Sequence, residues 1–107
     1  MTTFDRREDS FEKKYAHDEE LLFRATARRN KRLAAWANEK LGKPASDADG
    51  YFKEVMAADL EEPGDDDVVR KIVADFAAAN VEQSEHQIRR TMDELMAAAI
   101  AELKAGK

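Results

Sequence analysis

Apolar side chains recur at steps of three and four residues along most of this chain, and this spacing constrains the fold more than any other feature. Within residues 66–79 the apolar positions are Val68, Val69, Ile72, Val73 and Phe76. Residues at these steps lie on one side of an α-helix. No segment shows the sustained two-residue alternation of a half-buried strand, and the alanine content favours helix. The spacing therefore predicts an all-α protein.

Four segments carry this helical period. They run from about Asp18 to Leu41, from about Ala48 to Leu60, from about Asp66 to Ala79 and from about Glu85 to Lys104. Short connections between helices imply antiparallel neighbours. We therefore predict a four-helix bundle over residues 18–107, preceded by a separate N-terminal segment, residues 1–17.

Residues typical of helix ends support these boundaries. Gly42 suits the left-handed position after the first helix, and Pro44 prevents its continuation. Asp65 is a predicted N-cap of the third helix. Ser84 and Gln87 have the spacing of a capping box at the start of the fourth helix.

The first helix is predicted to turn one broad stripe towards the bundle. Its members are Leu22, Ala25, Thr26, Arg29, Leu33, Trp36 and Ala37, widened by Phe23, Ala27, Ala34 and Leu41. Four large side chains on apolar helical faces are expected in the core rather than in a ligand pocket. They are Trp36, Met56, Met92 and Met96, with partial exposure possible for Trp36.

Length and charge exclude several classes of protein. A chain of 107 residues is one domain by size, and its net charge of −5 argues against nucleic acid as a partner. The absence of cysteine excludes thiolate metal sites. Residues 1–20 contain no apolar run typical of a signal peptide, and residues 96–101 are far short of the roughly 20 apolar residues of a membrane span. We expect a cytoplasmic protein with no direct membrane insertion.

The sequence offers little for catalysis. His17 and His86 are far apart, and the residues three positions before them, Lys14 and Gln83, are not acids. The Glu-x-x-His motif of di-metal bundles is therefore missing, and none of the glycines has phosphate-loop spacing. We expect no catalytic residue, no metal and no cofactor, and we predict that the protein is not an enzyme.

Charge is distributed unevenly between two regions. Residues 24–43 contain seven basic residues and one acid, whereas residues 44–67 contain nine acids and one base. One interpretation is that the two regions attract each other across the bundle. The other is that Arg28, Arg29 and Arg32 contact phosphate, which favours the alternative of a small-molecule-binding bundle that senses a nucleotide.

The N-terminal segment, residues 1–17, contains three aromatic residues among charges of both signs. Phe4, Phe11 and Tyr15 share one side if the segment is helical. An isolated helix of this length is marginal in water, so we expect the segment to be mobile alone and to order in a partner's groove. The alternative is that it extends the first helix and packs Phe11 and Tyr15 on its own bundle.

Three stretches carry a family resemblance that covers nearly the whole chain. They are "FEKKYAHDEELLFRATARRNKRLAAWA", "YFKEVMAADLEEPGDDDVVRKIVADFA" and "IRRTMDELMAAAIAEL". Their order and spacing resemble the zeta subunit family, inhibitor proteins of the F-type ATP synthase in alphaproteobacteria. The "ARRNK" and "MDEL" stretches are the most distinctive pieces.

The resemblance implies a four-helix bundle whose mobile N-terminal segment becomes helical at a catalytic alpha/beta interface of the synthase head, near gamma. ATP hydrolysis is then blocked, and synthesis is impeded less. The protein would be peripheral to the inner membrane through the synthase. Carried onto this chain, the resemblance predicts partner-binding residues in the first segment: Phe4, Arg6, Arg7, Phe11, Lys13, Lys14 and Tyr15.

Overall fold

The computed structural model describes residues 3–59 and 64–107, and the side chains of those residues from Glu19 onward. Within these ranges the chain forms four α-helices, with one turn of 3-10 helix at Ala45–Asp47. The helices are α1 (Thr3–Lys40), α2 (Ala48–Asp59), α3 (Asp66–Ala78) and α4 (Glu85–Lys104). The described residues contain no strand, and the predicted all-α, four-helix architecture is confirmed.

The helix boundaries agree with the sequence pattern except at the start of α1. α2, α3 and α4 begin where the pattern placed them, whereas α1 begins at Thr3 instead of near Asp18. Residues 3–17 contain no glycine or proline, so nothing in the backbone chemistry interrupts a helix there. The predicted end of the second helix, Leu60, lies outside the described residues. The division of the chain after residue 17 stays a prediction.

Backbone geometry explains how α1 ends. Gly42 has a φ of 75°, a conformation that costs glycine no Cβ clash. The N–H of Lys43 donates to the carbonyl of Asn38 at 3.1 Å, which closes the helix end in the manner of a Schellman motif. The amide of Asn38 also donates to the carbonyl of Pro44 at 2.9 Å. Together these bonds fix the direction in which the chain leaves α1.

The two predicted N-caps had different outcomes. At α4 the capping box is present: the N–H of Gln87 donates to Ser84 Oγ at 3.1 Å, and the N–H of Ser84 donates to Gln87 Oε1 at 2.9 Å. Asp65 occupies the N-cap position of α3, but its side chain makes no capping hydrogen bond. Its carboxylate accepts hydrogen bonds from Arg29 instead. Asp65 is therefore the predicted N-cap residue by position, without a side-chain capping bond.

The core lies where all four helices meet. Its buried members are Leu33, Ala34, Ala37, Tyr51, Val55, Val68, Val69, Ile72, Phe76, Ile88 and Met92. Trp36 packs on this core, half-buried as the sequence allowed, with its ring centroid 5.6 Å from that of Phe76. The core position of Met92 is confirmed, whereas Met56 and Met96 are only partly covered.

A polar cluster joins α2 to α3 beside the core. The buried Tyr51 donates its hydroxyl proton to Asp75 Oδ2 at 2.7 Å, and burial together with this bond raises the pKa of Tyr51. Lys71 donates to Asp75 at 3.0 Å and to Glu54 at 3.2 Å, with its Nζ 5.0 Å from the centroid of the Tyr51 ring. Every named group has a partner within the bundle, so the cluster supports a structural role.

Candidate functional site

The predicted partner-binding side chains precede the part of α1 whose side chains are described. Phe4, Arg6, Arg7, Phe11, Lys13, Lys14 and Tyr15 all lie outside the described side chains. Their backbone belongs to the same uninterrupted helix that later enters the bundle. The candidate site is therefore considered from Glu19 onward, where α1 leads into the bundle.

Two apolar side chains on this part of α1 are exposed. Leu22 is 47% exposed and Phe23 is 77% exposed. The expectation that both would contribute to the packed stripe was wrong, because the first buried residue among the described side chains of α1 is Ala25. A large exposed apolar side chain beside a groove is typical of an interaction surface. The sequence did carry a signal for these residues, in their position a few residues after the aromatic N-terminal segment.

A groove adjoins Phe23, the more exposed member of this pair. It has a volume of about 540 Å³ and runs between α1 and the end of α4 with the residues that follow it. Its lining residues are Phe23, Arg24, Ala27, Arg28, Leu103, Gly106 and Lys107. A second depression, of about 360 Å³, shares Arg24, Leu103 and Gly106 with it. We call these two depressions together the tail groove.

The arginines next to the groove are held by a carboxylate of α4. Glu102 accepts hydrogen bonds from Arg32 Nη1 and Nη2, both at 2.7 Å, and from Arg28 Nη1 at 3.0 Å. Arg28 also donates to the carbonyl of Lys107 at 3.2 Å. The hydrogen bonds from Arg32 and the neighbouring positive charge hold the pKa of Glu102 below its usual value. This carboxylate therefore ties the end of α4 to α1.

The third arginine of the cluster lies in a separate network. Arg29 is almost completely buried and donates to the two carboxylate oxygens of Asp65 at 2.9 and 3.0 Å. It also donates to Oδ1 of the buried Asn30 at 2.8 Å, and the amide of Asn30 donates to Asp59 at 3.2 Å. This network links α1 to the end of α2 and the start of α3.

Comparison with known families identifies the chain. Residues 1–102 match the family model described as ATPase inhibitor subunit zeta. The chain belongs to this family. The recognition made from the sequence is thus confirmed, and the family name is that of a regulatory subunit. A comparison with curated proteins gave no match.

In this zeta-family chain the predicted attraction between the basic and acidic regions is realised in part. Arg29 and Asn30 do reach the acidic region, at Asp65 and Asp59. Arg28 and Arg32 instead use Glu102, far outside that region. The sequence missed Glu102 because its pairing with α1 depends on how α4 runs back along that helix.

The three arginines do not converge on one open site. Arg29 faces Asp65, whereas Arg28 and Arg32 share Glu102. A phosphate group would have to compete with these carboxylates for the same donors. Nucleotide contact by these arginines stays a prediction.

The described ranges lack both a metal-binding cluster and a membrane-spanning helix. Within them, no group of three or more histidine, cysteine or acidic side chains could hold a metal ion. No helix in the same ranges is long and apolar enough to cross a membrane. His86 is exposed at the first turn of α4, whereas the side chain of His17 lies outside the described residues.

Proposed function

We propose that this chain inhibits ATP hydrolysis by the F-type ATP synthase by inserting residues 1–17 as a helix at a catalytic alpha/beta interface near gamma. The observation that carries the proposal is α1 itself: one uninterrupted helix connects residue 3 to the bundle core. Membership of a family of ATPase inhibitor subunits supports the kind of partner. The chain would act on the cytoplasmic side, peripheral to the inner membrane through the synthase.

The proposed mechanism is steric and requires no catalytic group in the inhibitor. A helix of 17 residues is about 26 Å long, enough to reach from the bundle into a cleft between two subunits. Such a helix binds one rotational state of the motor better than the others and shifts the population towards that state. Hydrolysis stops because the stalled state cannot advance.

The aromatic residues of the segment supply the affinity in this proposal. Phe4, Phe11 and Tyr15 are spaced to share one side of a helix. Burying one such side chain contributes roughly 1.5–3 kcal/mol, so three of them can offset the cost of fixing the segment in the partner's groove. The surrounding Arg6, Arg7 and the lysine pair at positions 13 and 14 would meet carboxylates or backbone carbonyls at the rim.

The test compares the full chain with a variant lacking residues 2–17 in ATP hydrolysis by the matching synthase. We expect the deletion to abolish inhibition and to leave the midpoint of thermal unfolding nearly unchanged, because the core residues all lie beyond it. A full-length triple variant, Phe4→Ala, Phe11→Ala and Tyr15→Ala, separates loss of the aromatic rings from loss of helix length. Equal inhibition by the truncated and full chains would overturn the proposal.

A further inference from the structure

We propose that Leu22, Phe23 and the adjoining tail groove form a second contact surface for the ATPase that receives residues 1–17. The surface would accept an apolar side chain flanked by carboxylates. This inference rests on the proposed function and extends the contact from the N-terminal segment onto the bundle.

Leu22 and Phe23 are the exposed large apolar side chains among the described residues. A single exposed leucine is ordinary on a protein surface, but a phenylalanine that is 77% exposed beside a groove resembles the aromatic anchors that dominate protein interfaces. The bundle gains little from Phe23 in this position.

α1 runs without a break from the N-terminal segment to Leu22 and Phe23. Positions 4, 11, 15 and 22 are separated by seven, four and seven residues, a spacing that keeps positions on one side of a continuous helix. Leu22 therefore continues the register of the three aromatic positions. Phe23 follows residue 17 by six residues, or about 9 Å along the helix axis. A partner that holds residues 1–17 is brought close to Leu22 and Phe23.

Most of the charged residues that line the tail groove are basic. Arg24, Arg28, Lys104 and Lys107 lie along the two depressions of the tail groove, whereas Glu20 and Glu102 are the acids that pair with its arginines. The groove is thus bordered by an excess of cations in a chain whose net charge is −5. Cations around an apolar floor formed by Ala27 and Leu103 favour a protein surface that carries carboxylates beside an apolar side chain.

The experiment uses the full chain in four forms: wild type, Phe23→Asp, Phe23→Leu and Ala35→Asp. Ala35 is exposed on the same helix, about 18 Å further along its axis, so Ala35→Asp introduces the same charge away from the groove. Phe23→Leu preserves an apolar side chain. For each form we would measure binding to the isolated synthase head, half-inhibition of ATP hydrolysis, thermal unfolding and sedimentation.

We expect Phe23→Asp to weaken both binding and inhibition at least about 10-fold, because an interface anchor is lost and a carboxylate faces the partner's acids. Phe23→Leu keeps an apolar side chain and should lose less than Phe23→Asp does. Ala35→Asp should stay within about threefold of the wild type, and all four forms should unfold at nearly the same temperature. If the wild type inhibits ATP hydrolysis and Phe23→Asp binds and inhibits equally well, the second surface is overturned and the proposed function still stands.

Other outcomes separate the two proposals. If the wild type binds the head without inhibiting it, and Phe23→Asp loses that binding, the second surface stands and the inhibitory function fails. If the wild type neither binds nor inhibits, both are overturned. A wild-type dimer that becomes monomeric in Phe23→Asp would assign the surface to a second copy of this chain. If vesicles of phosphatidylglycerol retain the wild type but not Phe23→Asp, the surface is assigned to an anionic membrane. The dimer result and the vesicle result each overturn the inference.

Discussion

Leu22 and Leu33 are the same amino acid on the same helix, eleven residues and about three turns apart, yet Leu33 is fully buried and Leu22 is 47% exposed. Leu33 belongs to the core formed with the other helices. Leu22 lies near the level at which α4 ends, since Leu103 and Lys104 flank its neighbour Leu21. Position along α1, rather than residue type or helical face, decides which leucine is covered.

The reason is the unequal length of the helices. α1 has 38 residues, whereas α4 has 20 and the other two have 12 and 13. At about 1.5 Å per residue, α1 is roughly 57 Å long and α4 roughly 30 Å. The shorter helices cannot cover all of α1, so its apolar stripe continues beyond the bundle. We infer that stability resides in the covered stretch of α1 and recognition in the stretch before it.

The largest expected effect is the difference in the free energy of unfolding between Leu33→Ala and Leu22→Ala. Leu33→Ala should lower the free energy of unfolding by about 3 kcal/mol, because it removes a fully buried side chain and leaves a cavity. Leu22→Ala should change it by less than about 1 kcal/mol. Denaturant unfolding of both variants checks this difference.

The same pair should show the opposite order in inhibition. Well below both unfolding midpoints, Leu33→Ala should inhibit ATP hydrolysis as the wild type does, whereas Leu22→Ala should require a higher concentration. If both variants lose potency in proportion to their loss of stability, the separation between the two stretches is wrong.

The next effect concerns the buried arginine of the covered stretch. Asp65→Ala should cost about 2 kcal/mol, because Arg29 is almost fully buried and loses two of its hydrogen bonds to a charged partner. Glu20→Ala is the matched control in the uncovered stretch: its pairing with Arg24 is exposed, so we expect a change of at most about 0.5 kcal/mol. Chemical denaturation measures the free energy of unfolding of both variants. Equal losses for Asp65→Ala and Glu20→Ala would contradict the assignment of stability to the covered stretch.

A smaller effect is expected at the start of α4, one of the helices that share the core with Leu33. Ser84→Ala removes the capping bond to Gln87 and should destabilise the bundle by about 1 kcal/mol. Inhibition should be unchanged, since α4 begins far from its contact with Arg28. Thermal unfolding and the hydrolysis assay test both parts, with Ser46→Ala in the exposed 3-10 turn as control. A loss of potency for Ser84→Ala alone would link the covered stretch directly to recognition.

The features that the sequence predicted well depend on neighbours along the chain. The helical periods, the Ser84 capping box and the glycine that ends α1 all follow from residues within one or two turns of each other. The features that it missed depend on distant residues. The sequence placed Arg29 opposite the acidic region but did not single out Asp65, 36 positions away. It missed Glu102 altogether, which bonds to Arg32 across 70 positions. Local propensity contains no information about such pairs.

The candidate site shows the same limit. A helical stripe predicts which residues share a side, but not how far the neighbouring helices reach along it. The sequence therefore assigned Leu22 and Phe23 to the packed face, although it identified the unusual aromatic segment a few residues before them. What covers an apolar stripe is a tertiary property, and here it depends on how far the three shorter helices reach along α1.

The smallest effect is a pH dependence at the junction between the two stretches of α1. Hydrogen bonds from Arg32, followed by its charge and by Arg28, lower the pKa of Glu102 in the folded chain. A carboxylate with a depressed folded pKa stabilises the fold above its unfolded pKa, and this contribution is lost as the pH falls through the folded value. Glu102→Gln should therefore unfold at a lower temperature than the wild type near neutral pH, and the two should converge on acidification to about pH 3. Thermal unfolding at low ionic strength measures this difference, and Glu39→Gln is an exposed control on α1. If the difference in unfolding temperature between wild type and Glu102→Gln stays constant with pH, Glu102 does not tie α4 to α1 through its charge.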